Sequence, residues 1–406
     1  RSASFFMTGS YSYKDRYVIQ GSARLDGVDI IGTDNRFSPL WNVSGKWNVH
    51  NESFMTRFGF INQLAFRVSY GFVGSIDRNA LPFSVLRKVS NYSYNGEKIM
   101  DRYDPSNPSI KWQRQENRNI GFDASLLNNR INLVVNYYDN DTRNLLDDKK
   151  IAASTGRLSV AANVASVNNR GWEISLRTLN VRTTDFSWVT SVNFTKNKDK
   201  VTETYYQDLS EVSASTNSTF ESIYNLYIQG RPVKAFYGYK YAGVDPYTGN
   251  SLAYVDGFDD DGNRLGTLPP EGKYVYNMDN DLTTQLANSS RGYLGRSDPP
   301  ITGGFTTQFN YKRFSLFAQF TYMTGHLARS FQYYVSGGTT SASARNLLKI
   351  EANRWRKPGD MTDVPKYGTS RTEYLYQLFD FRFEKGDYLK CNNISLGYNL
   401  DPALCA

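Results

Sequence analysis

At 406 residues the chain is long enough for two or three soluble domains or one very large one. Aromatics reach 15% while hydrophobic residues reach only 40%, which excludes a disordered chain and leaves too few aliphatics for the near-continuous Val/Ile/Leu strands of a parallel-sheet enzyme. The formal charge is +8, but 47 Lys/Arg are scattered among 39 Asp/Glu without a basic block, which argues against a nucleic-acid partner.

In chain order, the first signal is alternation, with successive side chains on opposite faces of a strand. Tyr17, Ile19, Gly21, Ala23 and Leu25 share one parity, and Gln20, Ser22, Arg24 and Asp26 the other. Trp41, Val43, Gly45, Trp47 and Val49 oppose Asn42, Ser44, Lys46, Asn48 and His50. Residues 51–63 break the pattern: Phe54, Met55, Phe58 and Ile61 stand at helical spacing and predict a short helix on the periplasmic side. Alternation returns at Leu64, Phe66, Val68, Tyr70 and Phe72, then at Ile131, Leu133, Val135 and Tyr137, and at Trp172, Ile174 and Leu176. Residues 198–233 read as an extended irregular connection, and Phe314, Leu316, Ala318, Phe320 and Tyr322 give the last alternating set.

Each segment runs about 8–12 residues, near the roughly 9–11 that cross a bilayer at a tilt and beyond the roughly 5–6 of an ordinary strand. No apolar run approaches the roughly 18 residues of a membrane-spanning helix. The mean hydropathy of −0.55 is compatible with a transmembrane β-barrel, because only alternate residues face lipid.

Connections alternate in length. Short turns are predicted at Lys14-Asp15-Arg16, Leu127-Asn128-Asn129-Arg130, Thr183-Thr184-Asp185 and Lys312-Arg313. Long polar stretches fall near 74–110, 141–168, 248–299 and 325–386. Outer-membrane barrels have short periplasmic turns and long extracellular loops, so the alternation also assigns the sides. Aromatic clusters at Tyr11, Tyr13 and Tyr17, at Tyr137 and Tyr138, and at Phe236, Tyr237, Tyr239 and Tyr241 suit the interfacial girdles of such a barrel. The chain opens at Arg1 without a signal-peptide pattern and runs only a few residues past Tyr398, so both ends read as cut.

Ordered blocks then resemble a known family. They include Ser12-Tyr13-Lys14-Asp15-Arg16-Tyr17, Arg24-Leu25-Asp26-Gly27, Arg67-Val68-Ser69-Tyr70-Gly71, Asn119-Ile120-Gly121-Phe122-Asp123 and Leu127-Asn128-Asn129-Arg130-Ile131-Asn132. Asn169-Arg170-Gly171-Trp172-Glu173, Phe236-Tyr237-Gly238-Tyr239-Lys240, Gly303-Gly304-Phe305 and Asn393-Ile394-Ser395-Leu396-Gly397-Tyr398 continue the series. In this order they resemble the SusC/RagA-like TonB-dependent outer-membrane transporters of Bacteroidetes. The resemblance implies an all-β fold: an antiparallel transmembrane barrel, of which residues 1–406 would supply about twelve of 22 strands, with the N-terminal plug outside this chain. It implies import of oligosaccharides or peptides with a SusD-like surface lipoprotein as lid, energised by the TonB-ExbB-ExbD complex through the missing N-terminal region. A dimer of transporter–lid pairs and contact with outer-membrane lipid complete the implied partners.

The chemistry within the chain is sparse. His50 and His326 stand far apart in sequence without a nucleophile motif, so no catalytic triad and no enzymatic activity are expected. Cys391 and Cys405 form no disulfide framework. No cofactor is expected apart from one calcium candidate, Asp256, Asp259 and Asp261, where closely spaced carboxylates precede a glycine. That stretch lacks the first Asp and the closing Glu of a calcium loop, and a solvated acidic loop is the plainer reading. Tyr92, Tyr94, Trp112, Arg354 and Trp355 exemplify side chains suited to cargo contact, by stacking or directional hydrogen bonds, or equally to bracing loops. The alternative to transport is a surface-exposed β-protein that binds glycans or acts as an adhesin. Such a sandwich would seal its apolar face from water, whereas a barrel turns it outward.

Overall fold

The computed structural model describes residues 2–29, 31, 36–76, 85–95, 97–104, 107–155, 159–205, 228–238, 241–249, 251–254, 275–277, 292–330, 349–366 and 380–400. Eleven strands form one antiparallel sheet: β1 (Ser2–Tyr13), β2 (Tyr17–Val28), β3 (Phe37–Asn48), β4 (Ile61–Ser75), β5 (Gln113–Leu126), β6 (Ile131–Lys150), β7 (Ser159–Arg182), β8 (Phe186–Glu203), β9 (Ile301–Tyr311), β10 (Phe314–Thr324) and β11 (Tyr388–Tyr398). Each strand pairs with the next, so the sheet is an unbroken up-and-down meander. All six alternating segments read from the sequence lie in it, except that Val49 and His50 at the end of the second fall in a 3-10 turn. The expected count of about twelve becomes eleven among the described residues.

Register puts the apolar parities of neighbouring strands on one face. Val68 faces Ile120, which faces Tyr137, which faces Trp172. Phe305 faces Phe320, and Leu316 faces Leu396. Rings interlock on this face: Trp41 meets Tyr70 and Phe72 edge-on at 5.4 and 5.2 Å, and Trp188 stacks on Phe309 at 5.4 Å. Despite these contacts Phe66, Val68 and Ile120 stay 45, 56 and 59% exposed. Among the described residues nothing covers the apolar face at these positions, which is what a wall against lipid requires.

The short turns are fixed by backbone rather than by side-chain packing. Leu127, Asn128 and Asn129 all adopt positive φ (55°, 56° and 60°), and Lys14 and Asp15 do likewise. Asn and Asp tolerate that conformation best. The turns are also tied to their neighbours: Leu127 donates its amide to the Phe60 carbonyl at 2.7 Å, and Leu179 of β7 donates to that of Arg130 at 2.7 Å.

Three expectations are corrected. The stretch 141–168, read as a loop, is largely strand, since β6 continues to Lys150 and β7 starts at Ser159. Its side chains are polar because a strand above the membrane needs no apolar parity and has two wet faces. Residues 51–63 hold no α-helix but two 3-10 turns, Val49–Asn51 and Ser53–Arg57, followed by the start of β4. The chain must reverse there within a dozen residues, so only single turns fit. The connection read at 198–233 starts later, because β8 runs to Glu203.

The other long stretches carry small structures of their own. Val85–Tyr94 pairs with Glu97–Asp104 as a hairpin. Ala235–Gly238 pairs with Gly292–Arg296, and Leu327–Arg329 with Phe383–Lys385. Tyr241–Val244, Ser251–Tyr254 and Val275–Asn277 form a three-stranded sheet.

Candidate functional site: the polar face and its mouth

The face opposite the aromatic wall is polar and holds a groove of about 530 Å³, lined among others by Gln20, Ser44, Lys46, Ser69, Asn119 and Glu173. At its centre Arg67 of β4 makes a two-pronged contact with Asp123 of β5, Nε to Oδ2 at 2.7 Å and Nη2 to Oδ1 at 2.8 Å. Nη2 also donates to Asn136 Oδ1 of β6 at 3.0 Å. The guanidinium lies across Gly121, where an added Cβ would come within 3.0 Å of Arg67 Cζ. A planar fork matched to a carboxylate is directional as well as strong. Next to it Tyr138 lies over Gly171 and donates to Asn197 at 2.8 Å. The groove thus offers a row of amide, hydroxyl and charged groups held by glycines that let side chains lie flat.

Toward the loop end, the polar face carries the loop structures. Asp199 of β8 accepts hydrogen bonds from the Val233 amide at 2.7 Å and from Arg296 Nη2 at 2.5 Å. These contacts anchor the pair Ala235–Gly238 and Gly292–Arg296, in which Ala235, Phe236 and Tyr237 are buried. Burial pushes the Tyr237 phenol far above its ordinary pKa, so it stays neutral. Asp245 is held below the usual carboxylate range, first by the Thr248 hydroxyl and then by the Tyr247 amide.

The residues singled out from the sequence do not converge. The Trp355 indole donates to the Pro246 carbonyl at 2.9 Å and packs on Gly249, so it braces a loop. Arg354 bridges to Val364 through the backbone, and Trp112 sits beside β6, its carbonyl accepting from Asn144 at 3.5 Å. Tyr92 and Tyr94 lie on the hairpin strand Val85–Tyr94. His50 contacts the Leu64 backbone at the turn end, and His326 lies over Gly386 at the loop end. Cys391 is exposed on β11, and Cys405 lies outside the described residues. The calcium candidates Asp256, Asp259 and Asp261 also lie outside the described residues. Among those described, no group of three or more His, Cys, Asp or Glu could hold a metal ion.

Sequence reasoning missed the Arg67–Asp123–Asn136 clamp and the Asp199–Arg296 anchor. The signal was present only as opposite charges in two family-like blocks. Which strand pairs with which, and in what register, was needed to bring them together.

A lipid-facing aromatic wall backed by a polar groove, on strands joined by short turns at one end and long connections at the other, is matched by a family model for the TonB-dependent receptor-like β-barrel over residues 1–259. The chain belongs to that family. TonB-dependent receptor P39 of Formosa agariphila is 28% identical over 98% of this chain and 40% of its own length. TonB-dependent receptor SusC of Bacteroides thetaiotaomicron is 24% identical over 98% of this chain and 37% of its own. Among solved structures, the RagAB peptide transporter superposes with a TM-score of 0.75 at 26% identity, covering 99% of this chain and 42% of that one. The chain therefore spans about two fifths of the length of the curated relatives it matches. It is a SusC/RagA-like TonB-dependent receptor barrel of the outer membrane, as the resemblance in its sequence implied.

Proposed function

We propose that this barrel wall serves TonB-dependent active import of oligosaccharides or peptides across the outer membrane, together with a SusD-like lipoprotein lid, and that its role is transport without catalysis. The observation that carries the reading is the inverted sheet: apolar side chains such as Val68 and Ile120 point out uncovered, while Arg67, Asn119 and Asn136 line a wet groove. A glycan-binding sandwich or an adhesin would bury the first set. Peptide cargo is supported by likeness to the RagAB peptide importer, solved in closed and open states. Oligosaccharide cargo is supported by the amide-rich groove flanked by Tyr138, which suits sugar hydroxyls.

The outer edges of β1 and β11 have no strand partner among the described residues. Unpaired backbone is not tolerated in hydrocarbon, so the proposal includes further strands that close the barrel, with the plug and TonB contact supplied by other parts of the protein. The long connections form the extracellular side on this reading.

The experiment is mild-detergent purification of the full-length protein from outer membranes, with mass spectrometry of what accompanies it, and labelled-cargo uptake with and without TonB. A stoichiometric surface lipoprotein and TonB-dependent uptake are expected. A barrel recovered alone, with uptake indifferent to TonB, would overturn the proposal.

A further inference from the structure

On the lipid-side face the loop-end half of β5–β8 turns charged at one level. Register sets residues in rows across β4 to β8. Val68, Ile120, Tyr137, Trp172 and Lys196 form one row, Tyr70, Arg118, Asp139, Arg170 and Lys198 the next, and Phe72, Glu116, Asp141, Asn168 and Lys200 the third. With a rise of about 3.3 Å per residue and a tilt near 40°, a strand climbs roughly 2.5 Å per residue, so an apolar band about 25 Å tall uses about ten residues above the turn. On β8 that level is reached at Lys196, above the outward Trp188, Val192 and Phe194. The charged rows therefore stand where acyl chains give way to headgroups.

The acids in these rows are already engaged. Arg118 pairs with Glu116 at 2.6 Å, Asp141 at 3.6 Å and Asp139 at 3.9 Å. Asn168 donates to Asp139 and Asp141 at 2.7 and 2.8 Å, and the Tyr70 hydroxyl donates to Glu116 at 2.8 Å. Arg170, Lys196, Lys198 and Lys200 are exposed and form no ion pair with any described residue. Arg170 stands directly opposite Lys198, an arrangement of like charges that disfavours sheet pairing. Five cations, Arg118, Arg170, Lys196, Lys198 and Lys200, thus share these rows with three carboxylates, Glu116, Asp139 and Asp141, and the net charge of +2 left on the membrane-facing wall, toward the β8 lysines, calls for an anion supplied by the membrane.

We propose that Arg170, Lys196, Lys198 and Lys200 bind the phosphate groups of a phosphorylated glycolipid of the outer leaflet, its acyl chains lying along Trp172, Ile174 and Phe194. Lys196 to Lys200 spans roughly 13 Å of strand, more than one phosphodiester bridges and suited to a sugar headgroup carrying two phosphates. Guanidinium and ammonium groups are the side chains that recognise such phosphates. The site takes the loop end as the extracellular side but is independent of cargo and lid.

The test uses full-length protein in detergent or nanodiscs, with lipid A, dephosphorylated lipid A and phosphatidylglycerol as probes read by native mass spectrometry. The wild type is expected to retain lipid A at least about tenfold better than R170Q/K196Q/K198Q/K200Q. Lys198→Arg should retain it fully, as should Arg177→Gln on the opposite face. Heat-modifiable gel mobility reports whether each variant is folded. If the quadruple variant fails to insert, K198Q/K200Q replaces it, with about threefold weaker retention expected. Equal retention by folded variant and wild type, or equal binding of the dephosphorylated lipid, overturns the site. Phosphatidylglycerol binding as well as lipid A overturns the glycolipid assignment. TonB-dependent uptake should be unchanged in the variant, which separates failure here from failure of the import reading.

Discussion

Across β5–β8 the turn-side half of the sheet and its loop-side half use the same strands yet present opposite surfaces outward, whereas β2–β4 keep Leu25, Trp41, Tyr70 and Phe72 outward toward the loops. Below the row of Ile120 and Trp172 the outward positions are Phe66, Phe122, Val135, Ile174 and Leu176; above it they are Arg118, Asp139, Arg170 and Lys198. The connections divide in the same way. On the turn side they are a few residues long, apart from the 3-10 turns between β3 and β4, and on the loop side several carry hairpins and small sheets. One pairing pattern thus serves two solvents: in lipid the backbone must be satisfied by the sheet alone, whereas above it water also satisfies the chain.

The sharpest way to break this contrast is a charge on the lipid side. Val43→Arg, mid-strand on β3 and 49% exposed, should lose about 2–4 kcal/mol and most of the assembled barrel, read by urea unfolding in vesicles and by heat-modifiable mobility. Arginine at Asn168, in the charged rows, should assemble normally. Equal damage at both positions would sink the two-solvent account.

A smaller effect is expected on the wet face. Arg67→Ala leaves Asp123 and Asn136 without their donor, but solvent reaches the pair, so the loss should be about 1 kcal/mol. The double variant with Asp123→Ala should be no worse than the single one in the same unfolding assay.

At the turn side, Glu52 accepts hydrogen bonds from the Tyr17 hydroxyl at 2.7 Å and the Trp47 indole at 3.1 Å, and pairs with Arg16 at 3.3 Å. The Tyr17 hydrogen bond, followed by that of Trp47, holds its carboxyl below the ordinary glutamate range. A depressed carboxylate pKa stabilises the fold at pH above the unfolded value of about 4.3, and that contribution disappears as pH falls through the folded value. Wild-type melting temperature should therefore drop more steeply below pH 4 than that of Glu52→Gln. Parallel curves would remove Glu52 from the account. The smallest effect expected is at Leu127, whose φ of 55° strains a side chain bearing a Cβ. Leu127→Gly should be neutral to about 1 kcal/mol stabilising, by the same measurement.

While β5–β8 run 14 to 24 residues, beyond the roughly 8–12 that alternation suggested, the sequence by itself determined the alternating faces, the turn sites and the family. Each is a local property: parity follows from strand geometry, and Asn, Asp and Gly mark where the backbone must reverse. Tertiary structure alone decided the register, and with it every functional neighbourhood. It joined Arg67 to Asp123 and Asp199 to Arg296, and it set Arg170 opposite Lys198. It also turned 141–168 from loop into strand, because pairing with a neighbour, and not apolar content, holds a strand together once it leaves the membrane. A slip of one residue between strands would leave every local signal intact and send each of these side chains to the other face.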